Sequence, residues 1–360
     1  MRTWIGSVGI LILAALSPTA CDFSEAPVGV GMQTRPPPTS DPLLRAIDFD
    51  AVYVVNGGAS SLSVIDAERN EVAGTIELHS ADYPHHVYLS PDRSHLLVAV
   101  PGMDFSGGHA AAHRSSGGPE GSVLLLDALT GSLQGYVRTQ TSNHNALYTV
   151  DGKEIWTAIA GTPGRVLVLD PETLAVRQEI RVGSGPAEVT FSNDGMYSFV
   201  AATGSDQVTV VETATKKVAR TIDVGRAPVG AWQGKNGLAY VDNEIDASLT
   251  TIDTRTLDVL GTSYLGFVPG MVALGPDGNV WVADPNGHRV VLRNAKGDTV
   301  VGEIAADAGA HGIVFRPDGK FAYVSNELAS TVTVIDVERR APVKALAVGK
   351  KPNGMVARAK

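Results

Sequence analysis

A turn signal that returns every 41 to 43 residues through most of the chain restricts it to repeat architectures. The unit is clearest from Ala308 to Gly349, where four short β-type runs, GIVF, FAYVS, TVTVID and VKALAV, alternate with turn residues. Asp318-Gly319 between two apolar runs predicts a tight hairpin, and no segment of the unit sustains a helical period. The first hairpin turn recurs at Asp92, Asp151, Asp194, Asn236, Asp277 and Asp318, at intervals of 59, 43, 42, 41 and 41 residues. The third run ends at Asp66, Asp127, Asp170, Glu212, Asp253, Asn294 and Asp336, with matching spacing. Four strands per unit of about forty residues predict an all-β β-propeller in which each repeat is one radial blade.

YVVN at Tyr53 to Asn56, YVDN at Tyr240 to Asn243 and YVSN at Tyr323 to Asn326 are each followed by a run ending in VID or TID. In these residues the chain from Asp50 onward resembles the YVTN-repeat bacterial β-propeller family. That resemblance implies a fold similar also to the haem-d1 domain of cytochrome cd1 nitrite reductase, and it implies no single chemistry. The motif asparagines Asn56, Asn243 and Asn326 are expected to fix a turn in each blade.

Counting blades requires both ends of the chain. The first run, Ala51 to Asn56, lacks an inner strand before it, and Lys350 to Lys360 begins a repeat without finishing it. If the terminal PNGMVA run is the innermost strand of the blade begun at Ala51, the ring closes without an unpaired edge. Further blades beginning near Ala81, Thr141, Ser184, Arg226, Phe267 and Ala308 then make seven. Blade two departs from the others by a long link, Pro101 to Gly121, of a length usually reserved for function or disorder.

The region before the propeller reads as an export signal. Arg2 precedes an apolar stretch from Trp4 to Leu16, shorter than the roughly 20 residues of a spanning helix. Thr19-Ala20 stand before Cys21, the sole cysteine, which excludes an intramolecular disulfide, a C-x-x-C-H haem attachment and a cysteine metal cluster. The placement of Cys21 resembles the lipidation site of bacterial lipoproteins, although Pro18 stands where that family prefers Leu. The expected organisation is therefore a signal peptide over 1–20, a lipidated Cys21 with a Pro-rich tether over 21–48, and the propeller over 49–360. The location implied is the periplasm or outer surface, with contact to membrane through the lipid only. A net charge of −9 without basic blocks argues against a nucleic-acid partner.

Histidines carry the strongest functional signal. Seven residues before each hairpin turn stand His85, His144, Ala187, Val229, Gly270 and His311, with Asn353 at the same position in the closing strand. Blades two, three and seven thus offer His and blade one offers Asn, four contiguous blades whose side chains should converge at one mouth of the channel. Neutral imidazoles from neighbouring strands suit Zn or Cu. The same pattern also fits histidines that cap inner strands by bonding to backbone. The long link emerges on that face, so His109 and His113 are candidate lid ligands, while its composition equally suits solvated loop residues. Asp242, Asn243, Glu244 and Asp246 form a polar group that could hold a hard cation such as Ca2+, though Asx residues also favour turns.

Three functions remain open from sequence: a metal-binding module, a metal- or cofactor-dependent oxidoreductase or hydrolase using the same mouth, and a scaffold for a protein partner without small-molecule chemistry. No nucleophile-elbow, zincin or phosphate-loop motif occurs.

Overall fold

The computed structural model describes residues 35–110 and 118–360. Residue contacts divide the chain into two units, Met1–Pro36 and Pro37–Lys360, and the second is the propeller. Seven antiparallel sheets form it. Six are four-stranded and follow chain order, from the sheet over His86–Leu89, His95–Val100, Gly121–Asp127 and Leu133–Thr139 to that over Ala310–Phe315, Phe321–Asn326, Thr331–Asp336 and Ala341–Ala347.

The remaining sheet closes the ring. Pro352–Arg358 pairs with Ala51–Asn56, with Ala51 opposite Arg358 and Val54 opposite Met355, and so supplies the inner strand that the first blade lacks. Gly57 N–H donates to Lys351 O at 2.9 Å and Gly58 N–H to Lys350 O at 3.0 Å, extending the seam past the strand end. Seven blades and C-terminal closure agree with the expectation from the repeats.

That first sheet holds a fifth strand on its outside. Thr39–Asp41 pairs with Glu71–His79, and the chain behind it buries Ile47 completely. Part of the segment expected to serve as a tether is therefore propeller. The outer strand of blade one offers a free ladder of backbone groups, and three residues suffice to pair with it, while Leu43 and Ile47 supply apolar contact that the Pro content obscured.

Middle strands are buried along their whole length and outer strands are mostly exposed, which places the core between blades. One cluster joins Tyr53, Leu62 and Ile76 of blade one to Val87, Leu96 and Leu124 of blade two, and another joins Tyr323, Val332 and Val334 of blade seven back to Val52, Val54 and Ile65. The repeated Tyr and Asn have separate duties. Tyr53 donates its hydroxyl to Ala128 O, Tyr240 to Ala295 O at 2.5 Å and Tyr323 to Asn70 Oδ1 at 2.6 Å, each reaching into the following blade. The Asn amides act within a blade: Asn56 donates to Ser61 and Ser63, Asn243 to Ser248 and Thr250, and Asn326 to Thr331 and Thr333, in each case tying the second strand to the third.

Removal of Lys350 to Lys360 exposes the edge of Ala51–Asn56 and uncovers the apolar cluster that Met355 completes. A loss of several kcal/mol is expected, on the order of 10 °C in the thermal midpoint, with aggregation through the open edge. Calorimetry of the truncated chain tests this, and an unchanged midpoint would rule out closure as a stabilising device.

Candidate functional site

The inner strands begin at one mouth of the channel, and their first residues are irregular. In blade two His86 is paired with Ala99, yet His85 N–H also donates to Ala99 O at 2.9 Å, so two residues oppose one. Such a bulge defeats strict alternation, and both side chains enter the cluster: the two rings lie 4.7 Å apart, nearly perpendicular. Register shifts at the corresponding point follow Pro186, Pro228 and Ala310. Gly354 makes room for this arrangement, because a Cβ there would stand 2.7 Å from His86 Nδ1 and 2.8 Å from His85 O.

Four imidazoles converge below the mouth. His85 Nε2 lies 3.0 Å from His144 Nε2 and 3.3 Å from His109 Nε2, and all three residues are buried. Donor atoms of His85, His86 and His144 fall within 4.8 Å of one another. A histidine cluster capable of coordinating a metal ion therefore sits in the propeller core. Metal–nitrogen bonds of 2.0–2.1 Å at tetrahedral angles put ligand nitrogens about 3.3 Å apart, close to the two separations observed. Hydrogen bonding alone fits less well. A neutral imidazole has one acceptor nitrogen with one lone pair, so His85 Nε2 cannot serve both neighbours.

Carboxylates stand behind the rings. Glu244 Oε1 is 2.6 Å from His109 Nδ1 and also accepts His109 N–H, while Oε2 accepts Ala110 N–H at 2.7 Å. Glu188 Oε1 lies 3.1 Å from His144 Nδ1 and 3.0 Å from His86 Nε2. Asp242 accepts the Trp232 indole N–H at 2.6 Å and Gly230 N–H at 3.0 Å. Trp232 lies over Gly230, where any Cβ would meet the indole at 2.3 Å. Carboxylates that receive the second nitrogen of a histidine fix its tautomer and raise its basicity as a ligand.

Burial and neighbouring charge set the protonation states. Burial, reinforced by His144, His86, His109 and His311, holds His85 well below the usual histidine value, so it is neutral and able to bind a cation. Burial also lowers His311, with Glu327 opposing. For His109 burial works against the charged ring, but the hydrogen bond and charge of Glu244 outweigh it and raise the value above 6.5. Burial would raise Glu244, yet His109 and the two backbone donors pull it to about 2. Asp242 is pushed well above the carboxylate range by burial and by Glu188.

The expected site residues fall into three groups. His85, His144 and His109 come together, and His109, which the loop composition equally allowed as solvated, is buried because Glu244 and Phe105 hold it. His311 is buried at the same mouth with its ring 6.3 Å from His85 and 5.8 Å from His109, and Asn353 is turned to Glu327, donating from Nδ2 at 2.5 Å. His113 and Cys21 lie outside the described residues. The acidic group of blade five divides: Asp242 and Glu244 face the imidazoles, Asn243 is spent on the third strand, and Asp246 pairs with Arg226 at 2.6 Å. His86 and Glu188 escaped the repeat alignment by one residue. They are the ionisable members of the next repeat position, which otherwise holds Asn145, Gly230, Met271, Gly312 and Gly354.

Comparison with known proteins agrees with the fold. Residues 270–348 match the family described as lactonase, 7-bladed β-propeller. A seven-bladed β-propeller protein of Mycobacterium tuberculosis is 30% identical over 163 residues, which cover 43% of this chain and 39% of the relative, well short of its full length. Among solved structures, the periplasmic gluconolactonase PpgL of Pseudomonas aeruginosa superposes with a TM-score of 0.68 at 19% identity, over 86% of this chain and 99% of that one. A dihydro-haem d1 dehydrogenase, NirN, gives 0.61 at 16% identity over 85% and 74%, and hydrazine synthase of Kuenenia stuttgartiensis 0.60 at 20% over 75% and 88%. At these identities the likeness is one of fold.

The ion pair between His109 and Glu244 fastens the Phe105–Ala110 segment across the mouth, from blade two to blade five. Glu244 is depressed, so its contribution is complete above about 4.5 and vanishes as pH falls through about 2; His109 is raised, so its contribution is complete below 6.5 and is lost as pH rises through its higher folded value. In metal-free protein, limited proteolysis of the Pro101–Gly121 link should be slowest between these limits and accelerate at alkaline pH. Glu244→Gln should raise cleavage near pH 6 by about tenfold, as expected for loss of a charge-assisted hydrogen bond. Equal rates in the two proteins would mean that the segment is held by other contacts.

Proposed function

We propose that this protein is an exported, lipid-anchored β-propeller that binds a transition metal, Zn or Cu, through histidines at the channel mouth. The observation that carries the reading is the convergence of the Nε2 atoms of His144 and His109 on that of His85, with Glu244 and Glu188 behind two of the rings. Charge supports it as well. Glu188, Asp242 and Glu244 are buried, and among the described residues no Lys or Arg forms an ion pair with them. Burying a charged carboxylate costs several kcal/mol, and a dication beside Glu188 offsets that cost. His85, His109 and His144 are the ligands in this reading, with His311 next to them. A bound ion would act there as a Lewis acid toward a fourth ligand.

A second reading, an oxidoreductase or hydrolase working at the same ion, is favoured by one feature. A void of about 10 Å³, bordered by His109, His144, Glu188, Trp232, Asp242 and Glu244, is of the size of a single water beside the imidazoles. Asp242, kept protonated by burial, would be the proton donor at that position.

Isothermal titration of Zn and Cu into untagged protein and into a His85→Ala, His109→Ala, His144→Ala variant tests the binding. The parent should bind and gain about 2.7 kcal/mol of stability at a free ion concentration a hundredfold above Kd. The triple variant should lose binding while His95→Ala retains it. Affinity should decline on acidification from above the ordinary histidine value of about 6.5, because Glu244 holds the proton on His109 even though burial keeps His85 neutral. If neither ion binds the parent, a scaffold for a protein partner becomes the better account.

Anchoring is argued from sequence: the charged and apolar N-terminus and Cys21 behind Thr19-Ala20. Among the described residues no helix is long and apolar enough to cross a membrane. Cys21→Ser should leave the protein exported but released from the membrane fraction, and a variant that still sediments with membranes would place the anchor elsewhere.

A further inference from the structure

The geometry points to a second metal ion beneath the first, sharing His144 with it, and we propose that the mouth holds a dinuclear centre. The proposal rests on the metal-binding reading above and goes beyond it in stoichiometry and in ligands. His144 presents its two nitrogens in different directions: Nε2 toward His85 at 3.0 Å, and Nδ1 toward Glu188 Oε1 at 3.1 Å. Glu188 Oε1 is in turn 3.0 Å from His86 Nε2. Two donor sets therefore meet at one imidazole. The upper set is His85, His109 and His144 through Nε2; the lower set is His86 Nε2, Glu188 Oε1 and His144 Nδ1.

The conventional account of the lower set is that Glu188 accepts ring N–H groups and simply orients the histidines. Its geometry argues otherwise. His86 Nε2 and Glu188 Oε1 are within ion-pair distance and almost fully buried, yet neither has a hydrogen bond of acceptable geometry. Polar atoms that close, that buried and not aimed at one another are arranged as ligands converging on a common point. Two imidazole nitrogens and one carboxylate oxygen form a donor set suited to a divalent transition metal with positions left for solvent or substrate.

The room and the charge are also present. Next to His86 the closing strand places Gly354, where a Cβ would strike the His86 ring. Glu188, buried beside His86 and His144, places negative charge at the lower donor set, where a cation would sit. When both nitrogens of His144 bind metal, its ring N–H proton passes to solvent and the ring bridges as imidazolate. With bonds of 2.0–2.1 Å to each side, the ions stand about 6 Å apart.

Titration of Cu(II) into the chelator-stripped full-length protein, followed by electron paramagnetic resonance, tests the centre. Two equivalents should bind; the first should give a mononuclear signal, and the second should diminish it as the bridged ions couple. Glu188→Gln, which keeps shape and removes the charge, and His86→Ala should each bind one equivalent with an uncoupled signal, and their thermal midpoints verify folding. One equivalent in the parent, unchanged in both variants, would overturn the second site while leaving the first intact. Two equivalents without coupling would overturn the shared imidazole, and no binding at all would overturn this proposal together with the reading beneath it.

Discussion

The pairing of Pro352–Arg358 with Ala51–Asn56 is the interaction on which the other features depend. Without it the ring is an open stack with a free edge on blade one, and the inner strands have no common axis. With it, seven strand starts are brought to one mouth, and residues far apart in sequence become neighbours: His85 and His144 touch, and Glu244 of blade five meets His109 of blade two. Closure is also local. Gly354 N–H donates to His85 O at 2.9 Å, so the closing strand bonds directly to the residue at the centre of the cluster.

A β-propeller can sustain this site because its stability is generated elsewhere. The apolar clusters lie between blades, and the Tyr and Asn of the repeat are directed outward from the channel into blade junctions and third strands. The mouth, by contrast, gathers neutral imidazoles and carboxylates whose burial opposes folding. Opposite shifts at His85 and His109 express one condition: groups are crowded out of water, and each takes the charge state its nearest partner permits.

Architecture was legible in the sequence because it is written seven times. The turn residues, the Y-V-x-N runs and the incomplete repeat at the C-terminus lead to seven blades and to their closure without any knowledge of packing. The site was legible in part. Equal repeat position identified His85, His144 and His311, since side chains at one register share a height in the channel. His86 and Glu188 were hidden by the bulge that turns two successive residues the same way, and His109 by a link whose small residues say nothing of where it lands. The strand at Thr39–Asp41 was missed because three residues beside a Pro-rich run carry no periodicity, whereas the unpaired edge they cover is a property of the folded sheet.

The variable ring positions explain why such a fold gives so little away about function. At the first ring position the blades carry His, Ala, Val, Gly or Asn, and at the second His, Asn, Glu, Gly or Met, yet the sheets behind them keep the same four-strand order. Exchanges there alter what faces the channel and leave inter-blade burial intact, so chemistry can change at small cost to the ring. His85, His86 and Glu188 are thus three exchanges on an ordinary repeat. Their meaning comes from the bulge and from Gly354, which bring them within ligand distance of His144, and no shared ancestry of the fold would supply that information.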